Sequence, residues 1–233
     1  IGAGARALGM GEALSAVAEG PEAAYWNPAG LARSKRLEFT YARAEIPAGL
    51  HHDFGAVSSP VPLLRGTFAF AFTRLSSEKL EMTDASNRSH GSFAPHSEVF
   101  SFAYGHEFAD DDPLGDARDS FRENWNLPHV EGPLIDEREP WTGRIGGGLA
   151  IKVVQEDLGT RKASVVAFDG GGTFRPVDLR KLIVAGAFRH VGPGLRFISE
   201  SAPLPSELAV SAAYDLRAED WRLLPALEVD APY

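Results

Sequence analysis

The sequence predicts an all-β, antiparallel fold. After Leu37 the hydrophobic pattern takes a period of two in one segment after another, the mark of strands whose two faces differ. No strongly amphipathic helix separates these segments, which argues against βαβ units and so against a parallel sheet. The 233 residues include 24 Gly and 16 Pro, a turn-rich composition of the kind that many short strands require.

Residues 1–36 stand apart from this pattern. They are rich in small residues and have almost no strand character. A short helix is expected from Gly11 to Glu19, favoured by Ala, Leu and Glu and stopped by Gly20-Pro21. A second turn is expected from Glu22 to Trp26. Gly2, Gly4, Gly9, Gly11 and Gly20 permit tight bends and close backbone approach.

Residues 37–233 carry the strands, about nine of them by their alternation. Leu37, Phe39 and Tyr41 alternate with Glu38, Thr40 and Ala42, up to a break at Pro47-Ala48-Gly49. A weaker strand from His52 to Ser59 is closed by Pro60 and Pro62. From Thr67 to Leu75, Phe68, Phe70 and Phe72 share one face and Ala69, Ala71 and Thr73 the other. From Val99 to Phe108, Phe100, Phe102, Tyr104, His106 and Phe108 lie opposite Ser101, Ala103, Gly105 and Glu107. Further strands are expected at Arg144 to Gln155, Ala163 to Arg175, Lys181 to His190, Glu207 to Asp215 and Trp221 to Val229. Between the fourth and fifth strands an acidic, Pro-rich insert, residues 110–142, has no clear period and reads as a long loop.

The aromatic faces fit two architectures. A barrel wall turns its rings to lipid and its small or polar residues to the lumen. A soluble sandwich turns the same rings inward. Periodicity leaves both open.

Composition narrows the function. No run approaches the roughly 18 uninterrupted apolar residues of a membrane helix, though a barrel strand needs only about 10 residues of alternating pattern. The formal charge is −9 and no Lys/Arg stripe is present, so nucleic acid is not an expected partner. The absence of cysteine excludes disulfides and thiolate chemistry. The chain begins at Ile1 without a visible signal peptide, so the leader is expected to have been removed or to be missing from this stretch.

No motif points to catalysis. Gly2, Gly4 and Gly9 do not have G-x-G-x-x-G spacing, and G-x-x-x-x-G-K-[ST], G-x-S-x-G and H-E-x-x-H are all missing. His51-His52-Asp53 is expected to be a solvated turn, because neighbouring strand residues point to opposite faces and cannot easily share an ion. Asp110, Asp111, Asp112, Asp116 and Asp119 lack the ordered calcium-loop pattern. Asp169-Gly170-Gly171-Gly172 sits inside a strand pattern, where Gly marks a bend, bulge or close approach, so Asp169 reads as structural or lumen-facing. The chain is not expected to be an enzyme or to carry a cofactor or metal. A hydrolase on a β scaffold finds no motif here.

Two blocks carry a resemblance. The first is Gly4-Ala5-Arg6-Ala7-Leu8-Gly9-Met10-Gly11, then Ala13, Ala16 and Ala18, then Ala24-Tyr25-Trp26-Asn27-Pro28-Ala29-Gly30-Leu31. The second comprises Phe168-Asp169, Gly171, Phe174-Arg175-Pro176, Gly186, Val191-Gly192-Pro193, Leu195, Phe197, Leu204-Pro205 and Ala213-Tyr214. In order and content they resemble the PorV/PorQ family of outer-membrane proteins, relatives of the FadL-type transporters. Glu12 stands where a second Gly is common in the family, and His190-Val191-Gly192 replaces an Asn-Leu-Gly turn.

The resemblance implies a transmembrane β-barrel of about fourteen strands, an even number within the range such barrels take, in the bacterial outer membrane. Residues 1–36 would form a plug-like segment in its lumen, with Arg6, Gly9, Gly11, Tyr25, Asn27 and Pro28 as plug or gate residues. Arg6, Glu12 and Glu19 are expected to pair with lumen charges, since buried charges need partners. Nine strands fall short of closure, so the stretch reads as C-terminally incomplete. The implied role is protein secretion of the type IX kind, or transport, with lipid and secretion components or cargo as partners. The alternatives are FadL-like passage of hydrophobic small molecules and a soluble β-sandwich binding domain. The 110–142 insert would lie in the periplasm, either as a docking element with Phe121, Trp125 and Trp141 as contacts or as a disordered acidic loop.

Overall fold

The computed structural model describes residues 2–64, 66–108, 144–159, 161–176, 179, 181–197, 200–217 and 221–232. The insert with Phe121, Trp125 and Trp141 lies outside the described residues. The N-terminal segment holds helix α1 (Ala5–Gly9), a 3-10 turn (Gly20–Glu22), helix α2 (Ala23–Trp26) and a 3-10 helix (Pro28–Arg33).

The strands follow: β1 (Glu38–Ile46), β2 (Leu50–Val61), β3 (Gly66–Ser77), β4 (Leu80–Thr83), β5 (Ser89–Phe93), β6 (His96–Phe108), β7 (Arg144–Asp157), β8 (Lys162–Arg175), β9 (Leu182–Val191), β10 (Leu195–Phe197), β11 (Glu200–Ala202), β12 (Glu207–Tyr214), β13 (Leu216–Arg217), β14 (Arg222–Leu223) and β15 (Ala226–Pro232). Nine of them form one antiparallel sheet, β1-β2-β3-β6-β7-β8-β9-β12-β15. The sheet is a meander, and β4–β5, β10–β11 and β13–β14 are small hairpins in its connections. Among the described residues the sheet does not close: β1 and β15 are its edges.

Several local expectations are corrected. Helix lies at Ala5–Gly9 and not at Gly11 to Glu19. Gly11 and Glu12 both have positive φ, 62° and 67°, which a right-handed helix does not accept. Further on, the Ser15 amide bonds to the sheet and not to a preceding carbonyl. The expected turn at Glu22 to Trp26 is present as α2 with the 3-10 turn before it. Pro60 does not end β2 but pairs with Thr67 inside it. It is tolerated because β1 stops opposite Ser58, so Pro60 has a neighbouring strand on one side alone. His51-His52-Asp53 lies within β2 and is not a solvated turn. The expected Trp221 to Val229 strand divides into β14 and β15, interrupted at Leu224-Pro225.

One face of the sheet is covered by the N-terminal segment. Ala56, Ala69, Ala71, Ala103, Ala150, Ile183, Ala185 and Ala213 pack there with Ala3, Ala7, Leu14, Val17, Trp26 and Leu31 in a single core. The other face carries the large apolar residues, uncovered: Phe39, Tyr41, Phe68, Phe102, Leu149, Ile151, Phe168, Leu208, Val210, Leu227 and Val229 are all exposed. The alternation visible in the sequence therefore has small residues covered and large ones open, the reverse of a soluble sandwich strand.

Candidate functional site

The site is the seat of the N-terminal segment on the sheet. It begins with Asn27-Pro28, an N-cap followed by proline at the first helical position. Asn27 is fully buried. Its Oδ1 accepts from the Ala29 amide (3.1 Å), and its Nδ2 donates to the carbonyls of Ser15 (3.0 Å) and Gly172 (3.4 Å). One side chain thus caps the 3-10 helix, ties back to its own segment and reaches β8.

That helix rests on a row of small residues crossing the sheet. Thr67 pairs with Gly105, Gly105 with Gly148, Gly148 with Gly171, Gly171 with Ala187 and Ala187 with Ala209. A Cβ on Gly148 would come within 3.0 Å of Pro28 and Ala29 backbone, one on Gly105 within 3.0 Å of the Pro28 carbonyl oxygen, and one on Gly171 within 3.0 Å of the Asn27 amide group. Backbone meets backbone here, and only glycine leaves the room. The register shift between Phe168 and Gly170 supplies the bulge expected from the Asp169-Gly170-Gly171-Gly172 run.

Two buried cations of the sheet lie under the aromatics of α2. Lys152 (1% exposed) pairs with Asp169 (1%) and sits 5.3 Å from the Tyr25 ring centroid. Asp169 also accepts from the His190 amide (2.8 Å), holding a residue with φ 58°. Arg189 (2% exposed) lies 5.3 Å from the Trp26 ring centroid. Its guanidinium meets Glu207 (3.0 Å), Glu228 (2.8 Å) and Asp230 (3.0 Å). Glu228 in turn accepts from the Ser15 amide (2.7 Å) and hydroxyl (2.6 Å). Buried charges demand such saturation, because an unpaired one is strongly destabilising.

The expected plug residues divide into two groups. Tyr25, Asn27 and Pro28 lie in this seat. Tyr25 packs edge-on to Trp26 and Phe54, and burial pushes its hydroxyl up to about 12, against the pull of the Arg189 charge. Arg6, Gly9 and Gly11 do not touch the sheet row. Arg6 pairs with Glu19 (3.7 Å) and donates to the Val17 carbonyl (3.4 Å), and Glu12 accepts from the Gly2 amide (2.7 Å). Among the described residues the short contacts of Arg6, Glu12 and Glu19 thus run within the segment and not to the expected lumen charges, while Ser15 and Asn27 join it to the sheet. A Cβ on Gly9 or Gly11 would meet nothing within 4 Å, so neither serves close approach. Gly11 serves its positive φ, and Glu12 carries the same conformation without being glycine.

Lys152, Arg189, Glu228 and Ser15 were not among the expected site residues. A signal existed in the strand pattern. Lys152 in Ile151-Lys152-Val153 and Arg189 in Phe188-Arg189-His190 are charged residues at the small, covered parity. Among the described residues, no three His, Cys, Asp or Glu side chains group as a metal site would. Compared with models of known families and with curated proteins, the chain matches none.

Proposed function

We propose that the chain forms wall and plug of an outer-membrane β-barrel and serves protein secretion or transport across that membrane, as the PorV/PorQ resemblance implies. Sidedness is the observation that carries the reading. Phe102, Leu149 and Leu227 are 61%, 66% and 71% exposed, while Ala103, Ala150 and Ala213 are buried in the core shared with the N-terminal segment. In water this apolar face would far exceed the few hundred Å² that soluble monomers tolerate; in lipid it is the required surface.

The dimensions agree. On β7 the open-face residues from Ile145 to Val153 carry no charge, a rise of about 27 Å along the strand. With a barrel tilt near 40° that stands about 20 Å tall, close to the apolar band of such barrels. Polar residues take over beyond it, with Gln155 and Asp157 on β7 and Arg74 and Ser76 on β3. Unpaired sheet edges are not viable in lipid, so the reading requires further strands against β1 and β15.

The anchored segment favours a secretion partner over free passage. Asn27 and Ser15 hold it on the sheet, which supports a fixed plug over one that moves aside for FadL-like passage of hydrophobic molecules. Migration on gels with and without heating tests the barrel. The full-length protein is expected to run faster unheated than heated, and identical migration in both states would remove the reading.

A further inference from the structure

At the end of the sheet where β7 begins and β8 ends, a cavity of about 200 Å³ opens between the strands and the end of the 3-10 helix. Four cations line it: Arg33 and Lys35 from the N-terminal segment, Arg144 from β7 and Arg175 from β8. One carboxylate, Glu107, is present, 3.8 Å from Arg144. Among the described residues no carboxylate pairs with Arg33, Lys35 or Arg175.

Arg144 and Arg175 are direct cross-strand partners. Like charges placed opposite one another are destabilising, and here both belong to the covered face. Arg33 is fixed beside them by the carbonyls of Ala16 and Ala18, to which its guanidinium donates. Burial disfavours the ionised Arg33, the Glu19 carboxylate opposes that shift, and the charge of Arg175 adds to it. Folding has collected four cations in a lining that holds one carboxylate, Glu107.

We propose that this cavity binds a phosphate group. Guanidinium groups offer paired donors to an oxyanion, and the Thr173 hydroxyl adds a donor in the same wall. Phosphate fits the charge better than a carboxylate does, since it brings up to two negative charges to an excess of three, four cations less Glu107. The volume suits a single charged group, because whole small molecules occupy cavities of about 300–1,000 Å³. The site stands on its own residues and does not depend on the membrane reading.

The test is calorimetric titration of inorganic phosphate into the full-length protein in uncharged detergent and phosphate-free buffer. Saturable binding is expected, weakened about tenfold or more in the R144Q/R175Q double variant, as loss of two charged donors implies. R43Q, at the far end of β1, removes an exposed pair with Asp53 and should change it less than about twofold. The double variant relieves a like-charge pair, so its unfolding midpoint should not fall. Nanodiscs of phosphatidylcholine with or without phosphatidylglycerol then separate the sources. Loss of phosphate binding only with the anionic lipid assigns a lipid headgroup, and retention in both assigns a soluble phosphate. No saturable binding, or equal binding by R144Q/R175Q, overturns the proposal.

Discussion

Ser15 and Glu228 close the molecule across 213 positions of sequence: the Ser15 amide and hydroxyl both donate to the one carboxylate, at 2.7 and 2.6 Å. The same carboxylate takes the Arg189 guanidinium at 2.8 Å. The N-terminal segment and the edge strand β15 are therefore joined through one buried anion.

Replacing Glu228 by Ala leaves the Ser15 amide and part of the Arg189 charge unpaired. A loss of about 3 kcal/mol is expected, the range for breaking a buried ion pair. Urea unfolding of E228A, S15A and the double variant measures it, and the two changes should be strongly non-additive.

Gly148 and Gly9 predict opposite outcomes for the same substitution. Ala at 148 must displace Pro28, at about 1–3 kcal/mol for overpacking, and should open residues 2–36 to protease. Ala at 9 meets nothing and should be neutral or stabilising by a few tenths to about 1 kcal/mol. Limited proteolysis of both variants reads the difference.

Lys152 and Asp169 should behave as a unit. Lys152→Met strands a buried carboxylate and is expected to destabilise by about 3–5 kcal/mol. Adding Asp169→Asn should recover most of that loss, as thermal unfolding of the single and double variants would show.

Asp215 sets an acid limit for the β13–β14 hairpin. Hydrogen bonds from Arg217, then Arg222, hold its carboxyl well below the usual 3.8. A depressed carboxylate stabilises fully above its unfolded value, and that contribution is lost as pH falls from 3.8 through the folded value. Amide exchange at residues 214–217 and 221–226 should accelerate over that acid range, and Asp215→Asn should make it fast already at neutral pH.

The sheet was legible because each strand states its two faces. Phe68, Phe70 and Phe72 against Ala69 and Ala71 fix a strand from five residues, and the structure extends it only to Gly66–Ser77. The small hairpins were not legible: β4 is exposed at all its positions, so no burial imposes a period. The helix expected at Gly11 to Glu19 failed because propensity is a weak prior against tertiary contacts, here the Glu228 carboxylate that takes the Ser15 amide. Asn27-Pro28 announced its helix start locally, but its seat on Gly105, Gly148 and Gly171 depends on a cross-strand register that no single strand contains. The Ser15–Glu228 contact left no local trace at all.

The central claim is that the open face meets hydrocarbon. The chain has no cysteine, so single-cysteine variants carry one nitroxide label each. In reconstituted vesicles a label at Phe102→Cys should be relaxed by oxygen, which concentrates in lipid, and shielded from a water-soluble nickel chelate. The neighbouring Ser101→Cys, on the covered face, should be shielded from both. A Phe102→Cys label open to the nickel chelate would show that the rings face water and would contradict the account.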